Sequence, residues 1–131
     1  MIRGGCLCGA VRYEYDGGIV ELSMCHCSQC RKAQGSAFVA ASPIDASKFR
    51  LLAGADVLKE YRAVPHKARV FCSQCGSPIY SARDDLPHVK RLRLGTAETP
   101  FTCANAYHQH TGSKAAWFEI ADGLPQHREG K

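Results

Sequence analysis

Residues 68–82 read "ARVFCSQCGSPIYSA", and the rest of the chain is best read outward from this stretch. Two short runs, 68–72 and 78–82, carry Val70, Phe71, Ile79 and Tyr80, residues that favour strands, and turn formers lie between them. Between the runs stand Cys72 and Cys75, followed by Gly76. This is the spacing of a zinc knuckle: the turn aims both sulfurs inward, and glycine lets backbone amides approach the thiolates. A knuckle supplies two of the four ligands of a closed structural site. The other two are expected from "GGCLCG" (4–9), where Cys6 and Cys8 stand two apart among glycines. Reading Cys6 and Cys8 as small core residues is the weaker alternative, given those glycines and the second pair.

A third cluster, "CHCSQC" (25–30), holds Cys25, Cys27 and Cys30. With four sulfurs assigned elsewhere, Cys103 is the only other thiol. Structural zinc sites are closed, whereas catalytic ones use three protein ligands and leave a position for water or substrate. The spacing predicts a bend carrying Cys25 and Cys27. Cys30 would return from the first turn of a helix over 28–35, with Ser28 as cap and Gly35 as stop. A helix start there would favour thiolates. The fourth ligand is left open between an external group, Cys103, His108 and His110. Cys103, in "PFTCANAY", reads as core filler. His108 and His110, in "YHQH", would share one strand face. His26 lies between two ligands and is expected to point elsewhere.

The remaining patterns are those of a β protein. Val11, Tyr13 and Tyr15 alternate in "VRYEY". Further strands are expected over 36–42, 48–54, 57–63, 89–95 and 115–120, with "GAD" (54–56) joining 48–54 and 57–63 as a hairpin. Such spacing predicts a small all-β domain over 1–131, ordered over about 3–120, with a loose polar tail over 121–131.

The chain has 131 residues, 17 Lys and Arg, 12 Asp and Glu, and eight cysteines. Two divalent ions held by seven thiolates would cut the formal excess of +5 to about +2. The basic residues are scattered, which argues against a dedicated nucleic-acid binder. No secretion signal or membrane span is read, so the expectation is a cytoplasmic protein without a membrane partner. In that compartment clustered cysteines are metal ligands or catalytic groups, and their tight spacing suits disulfides poorly. A CxxC redox centre would call for a βαβ setting, which the pattern lacks.

Taken in order, "GGCLCGAVRYE", "CHCSQCRKAQGSAF", "FCSQCGSPIY" and "SKAAWFEI" resemble the glutathione-dependent formaldehyde-activating enzyme family, which includes centromere-associated relatives. The resemblance runs from about Arg3 to Ile120. It implies a β-tent of two or three antiparallel sheets and two zinc ions, one structural and one catalytic. By that likeness Cys6, Cys8, Cys72 and Cys75 correspond to the structural ligands, and Cys25, Cys27 and Cys30 to the catalytic site. It also implies carbon–sulfur lyase or synthase activity on a thiol–aldehyde adduct, with glutathione and formaldehyde as the founding case. Arg31 and Lys32 could attract the carboxylates of such a thiol, or serve as solvated surface charges. The rival reading is a non-catalytic zinc-braced module that binds a protein or nucleic acid.

Overall fold

The structure is a computed structural model describing residues 1–131. In chain order it runs β1 (Ile2–Gly5), β2 (Arg12–Tyr15), β3 (Leu22–Cys25), α1 (Ser28–Gln34), β4 (Val39–Asp45), β5 (Phe49–Ala53), β6 (Leu58–Val64), β7 (Lys67–Cys72), β8 (Pro78–Arg83), β9 (Val89–Arg93) and β10 (Ala106–Gln109). The strands form one three-stranded and one seven-stranded sheet, so the fold is all-β as expected. No helix is long and apolar enough to cross a membrane.

The chain divides into two compact units, each assembled from two separate segments. The first comprises Met1–Ile19 and Ser42–Thr102. Within it β2 lies between β1 and β5, both antiparallel to it. Strands β6, β7, β8 and β9 follow one another as an antiparallel meander. Its core centres on Val11, Tyr13, Ile79 and Leu92, none of them measurably exposed. Burying each such side chain contributes about 1.5–3 kcal/mol. Tyr13 stacks on Phe49 with centroids 5.2 Å apart, and its hydroxyl meets Thr96 Oγ1 at 2.8 Å.

The expected hairpin over 48–63 does not form. A turn does close at Gly54, whose carbonyl accepts from Val57 N–H at 3.1 Å. The strands then take different partners, β5 pairing with β2 and β6 with β7. Cross-strand side chains favour that choice: beside the Tyr13–Phe49 stack, Arg50 meets Glu14 at 3.1 Å.

The second unit comprises Val20–Ala41 and Cys103–Lys131. Here β3 lies between β10 and the start of β4. The pairing of β3 with β4 is antiparallel, whereas that with β10 is parallel, a departure from purely antiparallel sheets. Residues 115–120, expected as the last strand, form none. Phe118 N–H closes a turn onto the Ala115 carbonyl at 3.2 Å, and the Lys114 ammonium donates to the carbonyls of Ala115 and Phe118. Residues 121–131, expected to be loose, are tied to β10 and the residues after it. His108 N–H donates to Pro125 O at 2.8 Å, His127 N–H to His108 O at 3.0 Å and His110 N–H to Glu129 O at 2.9 Å.

Candidate metal centres

The first cluster joins two loops of the first unit. Cys6 and Cys8 leave the end of β1, and Cys72 ends β7 with Cys75 in the turn beyond. Their four sulfurs lie within 4.8 Å of one another. Both loops use glycine in the left-handed region, Gly9 at φ 83° and Gly76 at φ 81°, where a side chain is strained. Gly76 N–H closes the knuckle on Cys72 O at 2.7 Å, and Val11 N–H points at Cys6 Sγ from 3.2 Å.

The sulfur separations carry chemical information. Cys6 and Cys8 are 3.6 Å apart, and Cys8 and Cys72 are 3.8 Å apart. A disulfide needs about 2.05 Å. Zinc–sulfur bonds of about 2.3 Å at tetrahedral angles place sulfurs about 3.8 Å apart. The cluster therefore fits a closed tetrathiolate centre. Its thiols are already polarised. Hydrogen bonds from the Ser77 side chain and backbone, with help from the Cys8 backbone, pull Cys75 down to about 5. The Ala10 backbone acts to lower Cys8, but Cys6, burial, Cys75 and Cys72 outweigh it and raise that thiol to about 11.

The second cluster lies wholly in the second unit. Cys25 ends β3, Cys27 caps α1 and Cys30 is the third residue of that helix. The cap falls one residue before the expected Ser28. Cys27 is extended (φ −64°, ψ 156°), and its sulfur accepts from Cys30 N–H at 3.3 Å. Gly35 stops the helix as expected, in the left-handed region at φ 63°. The three sulfurs lie within 4.8 Å of one another. Cys25 and Cys30 are buried among Val39 and Ala41, and Cys27 is the partly exposed member. Hydrogen bonds from Cys25 and Cys30, aided by the N–H groups of Cys30 and Gln29, hold Cys27 far below an ordinary thiol. The same contacts with Cys27 and Cys30, together with burial, drive Cys25 far above one. Three sulfurs gathered in so small a space are a donor set suited to a thiophilic divalent metal such as zinc.

The remaining candidates have other partners. Cys103 Sγ points at the Asn105 carbonyl from 3.7 Å and is not one of the three gathered sulfurs. His108 and His110 do not share a strand face: β10 ends at Gln109, and His110 turns left-handed at φ 55°. His108 has both ring nitrogens engaged, Nε2 with Asp122 Oδ2 and Nδ1 with His26 Nε2, each at 2.8 Å. The His26 ring is fully buried between Phe38 and Phe118, with centroid distances of 5.2 and 6.0 Å. Burial, then the charges His108, Lys114 and Arg31 would place beside it, lowers the basicity of His26. The Ala37 backbone opposes this, although His26 Nδ1 has no well-formed hydrogen bond. Of the two basic residues after the cluster, Arg31 uses Nε to reach His26 O at 3.4 Å.

Sequence reasoning anticipated that His26 points away from the cluster, but it missed Asp122. A lone carboxylate in a polar tail gives no local signal of its partner.

Two cysteine clusters suited to metal, on an all-β scaffold, define the class of protein. The chain belongs to the glutathione-dependent formaldehyde-activating enzyme family, which matches residues 1–113. It is also similar to the crystal structure of a Rhodobacter sphaeroides protein, at 27% identity and a TM-score of 0.64, covering 76% of this chain and 90% of that one.

Proposed function

We propose that this chain is a zinc-dependent carbon–sulfur lyase or synthase acting on a thiol–aldehyde adduct, with glutathione and formaldehyde as the substrates its family membership favours. In this reading Cys6, Cys8, Cys72 and Cys75 hold a structural ion, and Cys25, Cys27 and Cys30 hold the catalytic one. Zinc bound by the three cysteines would lower the pKa of a substrate thiol and orient it as the attacking group. In the synthetic direction a carbon–sulfur bond forms between the thiol and the aldehyde carbon. The thiol proton ends on the former carbonyl oxygen, and the lyase direction reverses both changes.

The chain's own groups divide the remaining work. Cys25 and Cys30 form the buried side of the centre, and Cys27 faces outward, so an incoming thiol approaches past Cys27. Lys114, Trp117, Phe118, Glu119 and Gln126 line an open groove of about 500 Å³ in the same unit, offering aromatic surface and charges of both signs. We assign the non-reacting part of the substrate to this groove. Phe118 of this groove also packs its ring on His26, the residue between Cys25 and Cys27 in the chain.

One observation carries the reading: the cluster gathers three sulfurs, while Cys103 and His108 are directed to other partners. The test is cobalt-substituted protein titrated with glutathione. A change in the visible bands with full metal retention, preserved in Cys103→Ser, supports an external fourth ligand. Four protein sulfurs around the metal of the three-cysteine cluster at rest, falling to three in Cys103→Ser, would close the site and leave a non-catalytic binding module.

A further inference from the structure

The two fully buried imidazoles of the second unit are not used in the reaction outlined above. They form a continuous chain from the surface to the bend between two proposed ligands. Asp122, 43% exposed at its side chain, begins the chain. Both of its oxygens are engaged: Oδ1 accepts from Leu124 N–H at 3.0 Å, and Oδ2 faces His108 Nε2 at 2.8 Å. A carboxylate only accepts, so His108 must carry its proton on Nε2. In the neutral ring Nδ1 is then the acceptor, and the proton in the 2.8 Å contact with His26 belongs to His26 Nε2.

His26 is fixed at its backbone as well. Its N–H donates to Gln109 O at 3.0 Å, and its carbonyl accepts from Arg31 Nε at 3.4 Å. Its neighbours on either side are Cys25 and Cys27. A residue held by ring and backbone sets the directions in which both flanking side chains leave the main chain. Metal–ligand distances tolerate errors of only about 0.2 Å. Partners outside the ligand sphere are therefore a recognised means of presetting a site.

We propose that Asp122 is a positioning residue for the three-cysteine centre, acting through His108 and His26 to hold the Cys25–Cys27 bend in its metal-binding shape. The inference rests on the reading of that cluster as a metal centre. Asp122 lies beyond the 1–113 segment matched by the family, so this support comes from the chain's own C-terminal segment.

The decisive variant is Asp122→Asn. Leu124 N–H requires an oxygen at the Oδ1 position, so the new amide NH₂ must face His108 Nε2 and donate to it. The His108 proton then moves to Nδ1, and the His26 proton is forced from Nε2 to Nδ1. Ring ¹⁵N shifts of both histidines report these positions directly. Zinc release into a chromophoric chelator reports the consequence, the phase missing in Cys27→Ser being that of the three-cysteine centre. Inverted ring protons, with release from that centre faster by about tenfold or more and the four-cysteine phase unchanged, are expected. Asp122→Ala, which removes the acceptor without supplying a donor, should also speed that phase.

Unchanged ring protons in Asp122→Asn overturn the proposal, as do inverted protons with unchanged release in both variants. Equal acceleration of both phases marks a general loss of stability and also overturns it. Wild-type protein that retains no metal on Cys25, Cys27 and Cys30 instead removes the metal-centre reading, and the positioning role with it.

Discussion

The backbone N–H of Cys30 points at the sulfur of Cys27 from 3.3 Å, so the residue that caps α1 is also a proposed metal ligand. Serine is among the best helix caps. Cys27→Ser should therefore keep the helix start while removing a thiolate. We expect a folded protein with unchanged far-ultraviolet dichroism, one metal ion fewer per chain by elemental analysis and no carbon–sulfur chemistry. Loss of the fold would make the cluster structural.

Cys72→Ser should behave differently. Cys72 is fully buried at the junction of β7 and the knuckle, and its cluster ties that knuckle to the loop after β1. Binding to such a site is folding free energy, of order 10 kcal/mol in small zinc peptides. The expected outcome is collapse of amide proton dispersion and no cooperative unfolding transition. A native-like spectrum would show that the four-cysteine centre is dispensable.

Gly4 sits opposite Tyr13 in the β1–β2 pairing. A β-carbon there would run into the Thr96 carbonyl and the Tyr13 hydroxyl, and the backbone oxygen cannot swing aside. Gly4→Ala should destabilise the protein by about 1–3 kcal/mol, as overpacking does. Denaturant titration checks this, and an unshifted midpoint would mean that β1 moves freely.

Tyr13 predicts an alkaline limit. Burial raises its phenol above the ordinary value, outweighing the hydrogen bond with Thr96 that acts to lower it. The folded state then keeps a proton that the unfolded phenol releases near pH 10. The associated stability is present below that pH and is lost as pH rises toward the folded value. Tyr13→Phe should show a shallower fall in denaturant midpoint between about pH 9 and 11. Parallel curves for the two proteins would exclude Tyr13 as a source.

Where the sequence spoke clearly, it did so through local spacing. CxC, CxxC and CxCxxC confine sulfurs to short loops, so the clusters of Cys6, Cys8, Cys72 and Cys75 and of Cys25, Cys27 and Cys30 could be read before any tertiary contact was known. Strands β7 and β8 were legible for the same reason. Pairing was less so: the 48–63 segment carries a hairpin signal, but Phe49 and Arg50 find better partners in Tyr13 and Glu14. Strands β1, β3 and β10 are four residues each and lack the apolar alternation that marks the equally short β2. The Asp122–His108–His26 chain was least legible, because hydrogen bonds between distant residues leave no periodic trace.

The parallel pairing of β3 with β10 sets an order of events during synthesis. Chains emerge from the ribosome N-terminus first, at about 5–20 residues per second. Cys25, Cys27 and Cys30 are thus in solution well before β10, the neighbour of β3, has been made. Asp122 and the carbonyls of Pro125 and Glu129 that engage β10 and His110 come later still. During that interval the three thiols lack their finished surroundings and are open to oxidation or to a wrong metal. The proposed three-cysteine centre thus gains its full surroundings only when the C-terminal segment is made, although its sulfurs are complete at Cys30, whereas the four-cysteine cluster has all its sulfurs once Cys75 is made.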